Sequence, residues 1–188
     1  MFKRSLLSVA AIFSLLIVGC ETIKEAMHPK DEKDKAPRYV ITLHQIVKYP
    51  RASDLERQIT AFDGRKYWIN MNQFFHSRHI EEVKLVPSKE REGYFDVLMK
   101  LDPSGIMKWV QLSMHFKREK MAMLIDGHFY ELYTPDQLAD ENDEWVLLRG
   151  PFDKVTAGGI KKYANKNFLF FNPNKQGFNE FIESLNLK

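Results

Sequence analysis

A few residues in this 188-residue sequence stand close enough, and are of the right type, to do chemistry together. His76-x-x-His79 is the one close histidine pair. On a helix, positions i and i+3 share a face, and two imidazoles there can hold zinc with a third ligand. No cysteine lies near them, and no H-E-x-x-H spacing accompanies them. Ser77 marks a helix boundary between them, so the expected role is an exposed polar turn without metal. Asp126 and His128 stand two apart, which on a strand gives one face and an acid–base spacing. Asp126-Gly127 is also a turn signal, and a turn accounts for the aspartate without chemistry. Ser104 and Ser113 lack a nucleophile-elbow context. They read as a first-turn helix residue and a small packing residue. Gly158-Gly159 has neither the spacing nor the following Lys-Ser/Thr of a phosphate loop. Each glycine inside a helix costs about 1 kcal/mol relative to alanine, so close packing of that helix on a sheet is expected. No catalytic residue, metal ligand or cofactor site follows from these groups.

Cys20 differs in kind. The chain starts Met1-Phe2-Lys3-Arg4, and residues 5–19 then carry no charge. That uncharged run is shorter than the roughly 20 apolar residues that span a bilayer. A basic start, a short apolar run and a small residue at the cut describe a signal peptide. Ile17-Val18-Gly19-Cys20 resembles the lipobox of bacterial lipoproteins. The resemblance implies cleavage before Cys20, a diacylglycerol on its thiol and a further acyl chain, palmitate for example, on the new amino terminus. Two or more chains anchor stably where one anchors marginally. Cys20 is the only cysteine, so no disulfide competes for it. Glu21 follows it, where lipoproteins retained in the inner membrane typically carry aspartate. The outer membrane, facing the periplasm, is therefore the expected location.

Removing residues 1–19 leaves enough chain for one domain with a substantial core. The precursor is +3 and the removed segment holds Lys3 and Arg4, which leaves +1. Bulk charge on that scale gives no reason to expect nucleic acid as a partner. Residues 20–37 mix charges and hold few large apolar side chains, a composition that cannot fold alone. They are expected to be a tether, with residues 38–188 a single domain.

The pattern along that domain is mixed. Tyr39, Ile41, Leu43 and Val47 predict a strand with one buried face, and Tyr67 to Met71 a second. Ser77 predicts the start of a short helix carrying Ile80 and Val83 inward. Phe95, Val97, Met99 and Leu101 alternate. Asp102-Pro103 then suits a helix start, with Ile106, Trp109, Val110 and Ser113 on one face. Met121 to Ile125 and His128 to Tyr133 flank Asp126-Gly127 as a hairpin. The 136–144 stretch is an acidic loop, and Trp145 to Arg149 a strand. Asp153 predicts a helix to about Ala164 with Val155, Ile160 and Tyr163 inward. Phe168 to Phe171 predicts a closing strand. A last amphipathic helix is expected after Asn174, carrying Phe178, Phe181, Ile182 and Leu185. The class is α+β: a ferredoxin-like antiparallel sheet with helices on one face, extra N-terminal strands and a C-terminal helix.

Several short signatures occur in order between about 67 and 168. They are residues 77–83 (SRHIEEV), 97–105 (VLMKLDPSG), 122–127 (AMLIDG) and 148–152 (LRGPF). This stretch resembles the periplasmic head domain of the protein-translocase subunit SecD. The resemblance implies the α+β fold and an exported location. The sequence departs from that family in showing no membrane-spanning segment after the signal peptide, and in its acidic loop. The expected function is a membrane-anchored lipoprotein acting as a non-catalytic binding or scaffolding module in the cell envelope. Its expected partners are the membrane, through covalent lipid, and an envelope protein or peptide. The alternatives are an envelope hydrolase without a recognisable motif and an immunity- or exclusion-type lipoprotein.

Overall fold

Ile41 and Leu43 are both fully buried in β1 (Ile41–Gln45), as a strand with one apolar face requires. Strands β2 (Glu56–Thr60) and β3 (Lys66–Asn70) form an antiparallel hairpin around the 61–65 turn. After β4 (Phe75–His76) comes a single 3-10 turn (Ser77–His79), and then β5 (Ile80–Pro87) and β6 (Phe95–Leu101). Helix α1 (Pro103–His115) leads to β7 (Met121–Ile125), β8 (His128–Tyr133) and β9 (Val146–Phe152). Helix α2 (Lys154–Phe171) follows. The structure is a computed structural model, and it describes residues 36–51, 53–135, 140 and 142–175. The chain divides into two units, Met1–Ala36 and Pro37–Lys188. Cys20, the signal peptide and residues 21–35 lie outside the described residues, as do Phe178, Phe181, Ile182 and Leu185.

The class is α+β with antiparallel sheets. One sheet has the order β4-β1-β7-β8 and a second the order β5-β6-β9. Both sheets and both helices line one core, which holds Phe75, Met99, Trp109, Leu112, Met123, Leu148, Phe152 and Ile160. The β2–β3 hairpin covers the other face of the first sheet, with Ile59 and Ile69 against Ala122 and Leu124. Strand β7 is therefore buried on both faces, which explains the unbroken apolar run Met121 to Ile125. Asp126 and Gly127 both have positive φ (50° and 78°) and close a two-residue turn between Ile125 and His128. This is the geometry the Asp-Gly pair predicts.

Three expectations are corrected. The helix expected after Ser77 is one 3-10 turn, and Ile80 and Val83 belong to strand β5. The ladder with β6 shifts between Ile80 and Glu82, so Glu81 is an extra residue. That bulge puts two residues three apart on the buried side, and the spacing imitates a helix. Phe168 to Phe171 is not a strand but the last turn of α2. Ala157, Ile160, Ala164, Asn167 and Phe168 form the buried stripe of α2, at a helical period that runs past Ala164. Val155 does not point inward: it is 74% exposed in the first turn of α2, although Ile160 is buried.

Candidate functional site

The start of α1 gathers more polar chemistry than any single motif announced. Asp102 is the N-cap, and its Oδ1 accepts the Gly105 amide at 2.7 Å. The same oxygen accepts His79 Nδ1–H at 3.0 Å, and Oδ2 lies 3.3 Å from Lys175 Nζ. A side chain on Gly105 would put its Cβ 2.6 Å from His79 Cβ, so the glycine of the Asp-x-x-Gly sequence makes room for the imidazole. A carboxylate only accepts, so Nδ1 of His79 carries the proton and Nε2 keeps a lone pair. Nε2 is buried and has no hydrogen-bond partner among the described residues. Burial pushes the His79 pKa down, against the opposing pull of Asp102, and the imidazole is neutral at pH 7.

His76 and His79 are not an exposed turn: both are buried. His76 caps the 3-10 turn, its Nδ1 accepting the Arg78 amide at 2.8 Å. Its ring meets Phe171 edge-on at 4.8 Å. Burial, reinforced by Arg78, lowers its pKa to about 4. Each Nδ1 is thus committed to a different local partner. A third buried histidine, His44, donates from Nδ1 to the Asn70 carbonyl at 2.8 Å and accepts from the Thr42 hydroxyl at 3.0 Å. It ties β1 to the end of β3, and burial lowers its pKa too.

Asp126 and His128 do not form an acid–base pair. The Asp126 carboxylate accepts the Tyr39 and Val40 amides at 3.0 and 2.8 Å, so the hairpin tip fastens the beginning of the folded unit. His128 Nδ1 donates to the Asp126 backbone carbonyl instead. Ser104 is exposed in the first turn of α1, and Ser113 is buried with its hydroxyl on the Val110 carbonyl. A Cβ on Gly159 would clash with the Tyr39 ring, whereas one on Gly158 would meet nothing. Close packing therefore accounts for the second glycine of the pair alone.

Open surface lies along β8. Among the described residues this strand has β7 on one side and no strand on the other. Its ladder shifts at Tyr130, an extra residue whose hydroxyl turns toward Pro151 and Asp153. One groove, of about 340 Å³, runs between β8 and the tip of the β2–β3 hairpin. Phe62, Tyr67 and Phe129 line it; Tyr67 stacks on Phe129 at 6.2 Å, and Phe62 meets it edge-on at 6.1 Å. Phe62 is 85% exposed. A second groove, of about 300 Å³, runs between β8 and β9 past Arg149 and Pro151. Glu131 and Leu132 line both grooves, whereas His79 lines neither. Nothing in the sequence marked this surface, because β8 and the hairpin tip are about 65 positions apart and meet only through the fold.

No family model matches the chain, and no curated protein matches it. Solved structures do resemble it. One is a membrane component SecDF that enhances protein export, 14% identical with a TM-score of 0.47, covering 74% of this chain and 70% of that one. A second is SecDF in a super-membrane-facing form, 13% identical with a TM-score of 0.47, covering 74% of this chain and 21% of that one. A third is SecDF, a translocon-associated membrane protein from Thermus, 9% identical with a TM-score of 0.36, covering 89% and 35%. Among the described residues no helix is long and apolar enough to cross a membrane.

Proposed function

We propose that this chain is an exported lipoprotein, anchored through lipid on Cys20 to the outer membrane and facing the periplasm. Its folded unit is a non-catalytic binding module for an envelope protein or peptide. The observation that carries the binding reading is β8, an edge strand with a groove on either side. An edge strand offers backbone donors and acceptors to an extended segment, and flanking pockets select its side chains. The aromatic groove suits an apolar side chain, and Glu131 stands where both grooves meet. The non-catalytic reading is supported by where the capable side chains are spent. Asp102 caps a helix, Asp126 fastens a strand, and His44, His76 and His79 are buried and neutral. The anchor rests on the lipobox resemblance.

Site-specific crosslinking in whole cells tests the binding reading. A photoreactive residue at position 131 should give a discrete adduct, and one at the exposed position 111 on α1 should not. Absence of an adduct at 131, or equal adducts at both positions, overturns it. Acyl labelling tests the anchor separately: Cys20→Ala should abolish the label, and equal labelling of that variant contradicts the lipoprotein reading.

A further inference from the structure

Helix α2 carries Lys154, Lys161, Lys162 and Lys166 and no acidic residue. The mature chain as a whole is close to neutral, so this positive charge is concentrated rather than general. All four lysines are exposed: Lys162 and Lys166 lie opposite the buried stripe, and Lys154 and Lys161 flank one edge of it. The ion pairs among the described residues go to Lys48, Arg65, Lys100, Arg149 and Lys175, and none goes to these four. Lys162 and Lys166 lie instead 5.5 and 5.6 Å from the centroid of the Tyr163 ring, and Arg38 lies 5.8 Å from the same centroid. Two apolar side chains share the exposed side, Val155 and Phe170, at 74% and 51% exposure. An 18-residue helix is about 27 Å long. The apolar stripe of α2 is spent on the protein core, so what this helix offers outward is a row of cations with two exposed apolar side chains, which suits electrostatic attraction to anionic headgroups.

The chain enters the folded unit on this helix. The Arg38 amide donates to Asn167 Oδ1 at 3.2 Å, and Asn167 Nδ2 donates back to the Arg38 carbonyl at 2.8 Å. Cys20 lies eighteen positions earlier, and that length of extended chain spans at most about 60 Å. We infer that the exposed lysine face of α2 docks on the anionic phospholipid surface of the membrane that holds the anchor. The lipid keeps the unit within reach, and charge complementarity orients it with α2 toward the bilayer. This orientation rests on the lipid-anchored reading, whereas the affinity of α2 for anionic lipid does not.

The test uses the mature chain from residue 20 carrying Cys20→Ser, so that no acyl chain contributes, with vesicle sedimentation as the readout. Vesicles of phosphatidylcholine with about a third phosphatidylglycerol should bind it, and pure phosphatidylcholine should not. Binding should fall steeply as salt rises, because exposed charges are screened. Replacing Lys154, Lys161, Lys162 and Lys166 with glutamine should weaken binding by about 100-fold or more, at the usual gain per cation near such a surface. Replacing the exposed Lys66, Lys89, Lys117 and Lys120 instead removes the same charge and should leave most of the binding. Equal loss in the two variants would show bulk charge and overturn the assignment. So would equal binding to neutral vesicles, no binding to either kind, or capture by polyglutamate without capture by vesicles. Loss of acyl labelling plays no part in this assay, so failure of the anchor reading and failure of this inference are separable.

Discussion

Asp102 and Asp153 begin α1 and α2 in the same way and differ in what stands behind them. Each ends a strand with extended backbone and caps the first turn with its carboxylate. Asp102 is buried, and it also holds a histidine and a lysine from distant parts of the chain. Asp153 is half-buried, and beyond its own helix it meets the Tyr130 hydroxyl at 3.3 Å. One capping device thus serves two purposes. At α1 it is the hub of a polar cluster, buried at Asp102 and His79 and open at Lys175; at α2 it is a local cap beside a helix that turns its lysines outward. A carboxylate–imidazole pair looks like part of a catalytic set; here the carboxylate caps a helix and the imidazole is buried against it.

The largest expected effect comes from breaking the buried cap. Asp102→Ala removes a cap and leaves the buried His79 Nδ1–H without a partner, which should destabilise the domain by about 2–4 kcal/mol. Chemical denaturation measures this, and a loss below about 0.5 kcal/mol would erase the distinction between the two helix starts.

The same cluster should make stability depend on pH. The pKa values of His44, His76 and His79 are all lowered in the folded state, in each case first by burial. The unfolded chain therefore takes up protons at higher pH than the fold does. Stability should be complete above the unfolded value of 6.5 and should fall as the pH drops from there toward about 4, where His76 titrates. His76→Gln should flatten that slope. An unchanged slope would mean that His76 is not held neutral by the fold.

At the other helix start the effects should be smaller. Asp153→Ala should cost about 1 kcal/mol, the usual value of a half-exposed cap. The pKa of Asp153 is lowered, chiefly by hydrogen bonds from Thr156. Its contribution is thus present above the unfolded value of 3.8 and is lost only as the pH falls through its lower folded value. At pH 5 the histidine cluster should already be failing while this cap is intact. Coincident loss of the two would contradict the separation.

Much of this was legible because capping and turns are local. Asp-Pro, Asp153 and Asp126-Gly127 announce their roles within four residues. The His79–Asp102 pair spans 23 positions, and only the bulge at Glu81 and the missing side chain of Gly105 bring it together. Aromatic content suggested a strand at Phe168 to Phe171, but the buried stripe of α2 runs on through Asn167 and Phe168, and that packing decided the outcome. The β8 grooves were not legible, since no periodicity records which loops face an edge strand.

The smallest effects should separate the two glycines of α2. Gly158→Ala meets open space and should stabilise the domain by up to about 1 kcal/mol. Gly159→Ala gains the same helix propensity but displaces Tyr39 from its stack on Tyr163, and it should be neutral or destabilising by about 1 kcal/mol. Thermal unfolding of the two variants side by side resolves the difference.

Under the proposed function the grooves beside β8 bind a partner, and Asp126 and His128 at the tip of the same hairpin do no chemistry. The most direct measurement is the yield of the crosslinked adduct from position 131 in whole cells for two surface variants. Phe62→Ser opens the aromatic groove without touching the core, and His128→Gln removes the exposed imidazole at the hairpin tip. The expected result is a drop of about tenfold or more for Phe62→Ser, on the scale of losing one anchoring aromatic contact, with the His128→Gln yield unchanged. An unchanged yield for Phe62→Ser together with a lost adduct for His128→Gln would contradict that proposal.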